Sequence, residues 1–213
     1  MNVQSTKSWI KLHQEQLINF YLFLNFLAWT CWQFYKAITE HRLDFVEGSF
    51  LLQNVILTTV VLIRKPQKSM DKNVFNQIIA TVAFFSGALF MGQPVTSTGA
   101  LLNVSTVITI TANFFGILTL INLGRSFGIL IAVRRVKTKG LYGIIRHPMY
   151  GTDILLRIGY ITSHLTLFSI VAFVLSTACY IYRAILEEKF LKQQPEYNEY
   201  MKKVRYRFIP LIF

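Results

Sequence analysis

Acidic residues are scarce in this chain. Its 213 residues hold ten Asp and Glu against 22 Lys and Arg, and all charged residues together make up 15%, where soluble domains carry about one-quarter. So few charges cannot cover a water-facing surface, which excludes an ordinary soluble domain. Cysteine is nearly absent as well: Cys31 and Cys179 both lie inside apolar runs, and neither a disulfide framework nor a metal-ligand set is indicated. The glycine fingerprint of a Rossmann turn is missing, and with it the usual soluble grip on a nucleotide cofactor. The first apolar run ends in Trp32, Gln33, Phe34 and Tyr35 without a small-residue cleavage site, which speaks against a removed signal peptide.

What the chain has in abundance is apolar sequence. Hydrophobic residues reach 53%, with 18 Phe, in uncharged runs too long for the core elements of a soluble domain. Leu17 to Tyr35 is 19 uncharged residues, enough to cross a hydrocarbon core of about 30 Å at about 1.5 Å per residue. Gly48 to Ile63 is a second run, closed by Arg64, Lys65 and Pro66. From Asn73 to Gly124 no charge occurs in 52 residues, room for two spans flanking the breakers between Gly92 and Gly99.

The segment from His147 to Glu187 is open to two readings: one span from Ile158 to Tyr182, or two tilted spans. Charge decides between them. Basic residues at 125 to 146 precede the segment and a basic tail follows it; both belong on the cytosolic side, so an even number of crossings is required. Its 41 residues make about 61 Å of helix, two passes, with the turn near Ser163 to Thr166. The expected fold is therefore an all-α, polytopic membrane bundle of five to six spans whose last two form a hairpin. Six spans place 19 of the 22 cations inside, with Lys36 and Arg42 outside and Arg157 within a span. Both termini are expected in the cytosol. The basic excess thus reads as orientation, not as a nucleic-acid surface. No internal repeat of the kind transporters show is present, although a non-catalytic scaffold or transporter is a rival reading of the spans.

Chemistry-bearing residues crowd into the last 90 or so positions. The stretch Arg134, Arg135, Val136, Lys137 through Tyr142, followed by Arg146, His147, Pro148, Met149 and Tyr150, combines cations, an imidazole, phenols and a helix-starting proline, a plausible cap for an anion. The plainer reading is a loop made basic by orientation alone. Asp153 and Arg157, four apart inside a span, are expected to pair with each other. Arg183 and Glu187 share a helix face, and the acids Glu187 and Glu188 oppose the dipole at a helix C-terminus, which points either to a ligand or to nearby lysines. The aromatic and basic tail from Pro195 to Pro210 suits an amphipathic interfacial helix.

In their order, Leu123-Gly-Arg-Ser-Phe127, Thr138-Lys-Gly-Leu-Tyr142, Arg146-His-Pro-Met-Tyr150, Glu187-Glu188, Glu196-Tyr-Asn-Glu-Tyr200 and the Arg-Phe-Ile-Pro ending at Pro210 resemble the isoprenylcysteine carboxyl methyltransferases, in particular their prokaryotic branch. The wider superfamily includes phospholipid N-methyltransferases. The resemblance covers about residues 120 to 213, so the chain divides into N-terminal spans (1–115) and a catalytic region (116–213). It implies S-adenosylmethionine in a cytosolic pocket, contacted by Arg134, Arg135, Val136, Lys137, Tyr142, Arg146, His147, Pro148, Met149, Tyr150 and Glu187. Arg183, with Tyr150 beside it, would face a lipophilic acceptor entering from the bilayer: a carboxylate gripped by two parallel hydrogen bonds or, in the alternative, a phospholipid amine. Where the prenylcysteine enzymes carry His and Thr, this chain has Arg134 and Arg135.

Overall fold

The computed structural model describes residues 3–40, 45–90 and 95–210, with side chains from residue 15 onward in the first helix. Arg42, part of the expected 92–99 turn and the side chains of Lys7 and Lys11 fall outside this set. The described chain is helical almost throughout: α1 (Val3–Thr39), α2 (Phe45–Ile63), α3 (Val74–Phe85) with a 3-10 extension to Phe90, α4 (Gly99–Leu123), α5 (Pro148–Ser163), α6 (Leu167–Leu191) and α7 (Pro195–Lys203). Two short strands, β1 (Ser69–Met70) and β2 (Ala132–Val133), pair antiparallel.

Each expected span falls within one of α1 to α6. Among the described residues, three segments are long and apolar enough to cross a membrane on their own: α2, α4 with its 3-10 continuation to Ser126, and α6. α5, with 16 residues, is about 24 Å long, short of a full crossing. The end of the bundle is a hairpin, its arms joined by residues 164–166. Thr166 caps the second arm by accepting from the Ser169 amide at 3.1 Å, which satisfies one of the N–H donors left unpaired at a helix start. Side chains such as Val107, Ile121 and Leu175 point outward, more than half exposed. That is an inversion of soluble packing and suits a lipid solvent.

Between helices, small residues set the spacing. α4 packs most extensively against α5, and the contact closes at Gly159. The Ser105 hydroxyl donates to the Gly159 carbonyl at 2.6 Å, and a Cβ built on Gly159 would lie 2.6 Å from Thr109 Oγ1 and 3.2 Å from the Thr109 amide nitrogen. Close approach at a small residue is how helices associate where lipid removes the hydrophobic drive. On the other side, Val60 and Val61 of α2, Leu120 of α4 and the loop residues Phe127 and Ile129 form a core with Phe84 and the α1 phenylalanines Phe23 and Phe26. That core fixes the 124–133 segment over the helix ends.

Gly159→Ala is expected to destabilise the bundle by about 1–3 kcal/mol through overpacking, with partial recovery in Gly159→Ala/Thr109→Ala. Gly48, whose Cβ would meet nothing within 4 Å, should accept Ala without loss. Thermal unfolding in detergent would show both.

Candidate functional site

Glu188 is 1% exposed and sits near the end of α6. One carboxylate oxygen accepts from Arg146 Nε at 2.7 Å and lies 3.2 Å from His147 Nε2, and the other accepts from Arg207 Nε at 3.1 Å. Arg146 also donates through Nη1 to the carbonyls of Val204, at 2.9 Å, and Arg205. The tail then runs beside the start of α5, with the Arg146 amide donating to Tyr206 O (2.8 Å) and the His147 amide to Arg207 O (2.9 Å). Pro148 opens α5 at its first position, where a missing N–H is harmless. The loop, the hairpin and the tail are thereby joined at one buried carboxylate.

Under this clasp lies a cavity of about 120 Å³. Arg134, Arg135, Val136, Lys137, Tyr142, Arg146, His147, Met149, Tyr150, Arg183 and Glu187 all line it; Pro148 does not, being buried behind as the helix start. The Tyr150 hydroxyl donates to Glu187 Oε2. The Tyr150 ring stacks on His147, with centroids 5.2 Å apart at 9°, and the Arg183 guanidinium lies 5.1 Å from its centre, a favourable cation–π contact. α7 forms the roof: Tyr197 and Tyr200 line the cavity, and the Tyr200 hydroxyl donates to Tyr142 O at 2.7 Å. Burial raises the phenol pKa of Tyr142, Tyr197 and Tyr200, so these groups stay neutral.

Arg134 enters through a gap that only glycine leaves, since a Cβ on Gly128 would lie 2.0 Å from Arg134 Nη1. Its Nη2 donates to Gln67 Oε1 at 3.3 Å, while its buried Nε has no partner. Burial, then the neighbouring Arg64, pull its pKa down to about 10. A desolvated guanidinium beside a second cation is a place where an anion is welcome.

Two expectations change on contact with the structure. Asp153 and Arg157 do not pair: Asp153 Oδ2 accepts from the Tyr180 hydroxyl at 2.8 Å, while Arg157 donates to the Asp153 backbone carbonyl and to Ser86 Oγ, both at 3.0 Å, and stacks 4.5 Å from the Tyr180 ring centre. For Arg157, its own i−4 carbonyl, Ser86 of the 3-10 extension of α3 and the Tyr180 face of α6 take the place of the i−4 carboxylate. The partners of Glu188 are arginines and a histidine from the loop and tail, and no lysine joins them. Arg183, 3% exposed, donates through Nη1 to Ala80 O at 2.8 Å and through Nη2 to Ile129 O at 2.6 Å, leaving Nε without a partner. Its terminal nitrogens thus already hold α3 and the 128–129 loop.

Sequence reasoning singled out Glu187 and passed over Glu188 as a site residue. It also passed over Asp153 and Tyr180, which line the cavity. The one signal for Glu188 was the unexplained second acid at a helix C-terminus.

Fold and site together define a helical integral membrane protein with a polar pocket at one end of its bundle, roofed by its own C-terminal segment. Residues 83–197, more than half the chain, match the family model described as phospholipid methyltransferase, and the chain belongs to that family of membrane methyltransferases. No curated protein matches it.

Glu188→Gln leaves Arg146 buried beside a neutral amide. The expected loss is about 3–5 kcal/mol, seen as a lower unfolding temperature and as faster trypsin cleavage at Lys203 and Arg205. Glu187→Gln, which weakens one hydrogen bond, should lose about 1 kcal/mol.

Proposed function

We propose that the protein transfers a methyl group from S-adenosylmethionine to a carboxylate on a lipophilic acceptor, with the cofactor entering from the cytosol and the acceptor from the bilayer. The observation that carries this reading is the convergence of Arg134, Glu187, Tyr150 and Arg183 on one cavity at the end of apolar helices. The residues present fit the cofactor. The unpartnered Arg134 Nε, with Arg135 and Lys137, suits its carboxylate; Glu187 suits its amine or ribose hydroxyls; and Tyr142, Tyr197 and Tyr200 suit its adenine. Bound there, it would supply an electrophilic methyl group on a sulfonium.

Transfer of that group to a carboxylate needs no acid or base, chiefly alignment and partial desolvation of the nucleophile. Arg183 is suited to hold the acceptor through Nε–H, since the carbonyls of Ala80 and Ile129 fix its terminal nitrogens. Tyr150, fixed by Glu187 and by stacking on His147, keeps the wall between the two substrates rigid. Cations at 64–72, 125–146 and beyond 183 favour a cytosolic pocket and cytosolic termini. A second reading rests on Asp153, which lines the same cavity: a carboxylate beside the acceptor would suit a phospholipid amine, as cation partner and proton acceptor.

Isothermal titration of the detergent-purified protein with S-adenosylmethionine or S-adenosylhomocysteine should show saturable binding. Glu187→Ala should weaken it about 10- to 100-fold, as loss of a charge-assisted hydrogen bond does. Absence of binding would overturn the proposal. Incubating membrane lipids with methyl-labelled cofactor then separates the acceptors, because a methyl ester is released by mild base and an N-methyl group is not.

A further inference from the structure

A second cavity, of about 350 Å³, adjoins the first and is lined by Lys65, Lys68, Arg125, Arg134 and Arg135, with Glu196 its sole acid. These cations come from three separate stretches of chain. Backbone hydrogen bonds hold the stretches together: Lys65 N to Arg125 O at 2.9 Å, Lys68 N to Val133 O at 2.8 Å, and the β1–β2 pairing. The Arg125 side chain adds Nε to Ile63 O at 3.0 Å. A loop that is basic only to set orientation would scatter its charges; here they are built into one concave site. Among the described residues, Lys65, Lys68, Arg125 and Arg135 have no carboxylate within ion-pair distance.

The position of the cavity names its occupant. Lys65 follows α2 directly and Arg125 follows α4, two of the segments long enough to cross the bilayer, so the cations ring the level at which a membrane changes from hydrocarbon to water. Just on the membrane side, Leu62, Ile63 and Ile121 are 46%, 45% and 60% exposed. Cations above and bare aliphatic side chains below match a molecule with an anionic head and apolar chains.

We propose that this cavity binds the phosphate of an anionic phospholipid whose acyl chains lie along the exposed ends of α2 and α4. The site shares Arg134 and Arg135 with the first cavity, but Lys65, Lys68 and Arg125 lie outside it, so lipid binding tested at those residues stands or falls apart from the methyl-transfer reading.

The test is thermal unfolding of the purified protein in neutral detergent, titrated with phosphatidylglycerol, with phosphatidylcholine, or with inorganic phosphate. Phosphatidylglycerol should raise the unfolding temperature saturably. In Lys65→Gln/Lys68→Gln its apparent affinity should fall about thirtyfold, on the order of fivefold per cation. Lys189→Gln/Lys192→Gln, which removes two exposed lysines elsewhere, should keep the full response. An equal loss in both pairs would mean diffuse attraction and overturn the proposal, as would an equal response to phosphatidylcholine. Saturation by inorganic phosphate with no gain from the lipid would overturn the lipid assignment.

Discussion

The carboxylate of Glu188 is the point through which the polar end of the molecule is organised. Three cationic or imidazole groups from the start of α5 and from the tail converge on it, and Arg146 in turn holds the carbonyls of Val204 and Arg205. Burying one charge with a single partner is close to neutral in stability, because desolvation offsets attraction. Burying it with several, one of which also holds two tail carbonyls, fixes one geometry. Besides that geometry the α7 roof is seated by the small apolar cluster of Tyr197, Tyr200 and Val204 and by the Tyr200 hydroxyl on Tyr142 O, so the clasp is its one charged anchor among several neutral ones.

Below this layer the structure is held by other means. In the apolar bundle the contacts are close backbone approaches, as at Gly159, and hydrogen bonds from short hydroxyl side chains such as Ser105. The two guanidiniums placed deeper, Arg157 and Arg183, are held through their terminal nitrogens by carbonyl and hydroxyl oxygens and rest on tyrosine faces, with each Nε unpartnered and no direct ion pair. Neutral acceptors let a cation stay at depth without a second ion being desolvated to match it.

The helices were legible because runs of uncharged residues are long and are set off by blocks of cations. Charge parity and the 41-residue length of the segment together predict a hairpin turning near Ser163 to Thr166, and the connector falls at 164–166. The site was legible as a set of residue types, and the structure does draw Arg134, Tyr142, His147, Tyr150, Arg183 and Glu187 around one cavity. The partner of each was not. Adjacent acids cannot be told apart by spacing, yet successive residues on a helix point about 100° apart, which sends Glu187 to Tyr150 and Glu188 to the clasp. Asp153 and Arg157 show the converse: spacing of four permits a pair, and tertiary neighbours took both ends. The β1–β2 contact, two residues a side, is too short for any pattern of alternation to reveal.

Glu187 and Glu188, adjacent at one helix end, stand in different surroundings: one lines the cavity and the other is closed in the clasp. Glu188 is surrounded by three donors carrying or sharing positive charge, so little of its field reaches beyond them. Glu187 is held by a neutral phenol, Asp153 by another, and Arg183 by carbonyls. Each of these three lines the cavity oriented but without a neutralising ion partner, and in a medium of low polarity an oriented charge acts strongly on whatever enters. Methyl transfer asks for alignment of two reactants more than for proton movement. A pocket whose charges are fixed by neutral groups, beneath a roof locked by a neutralised one, meets that demand.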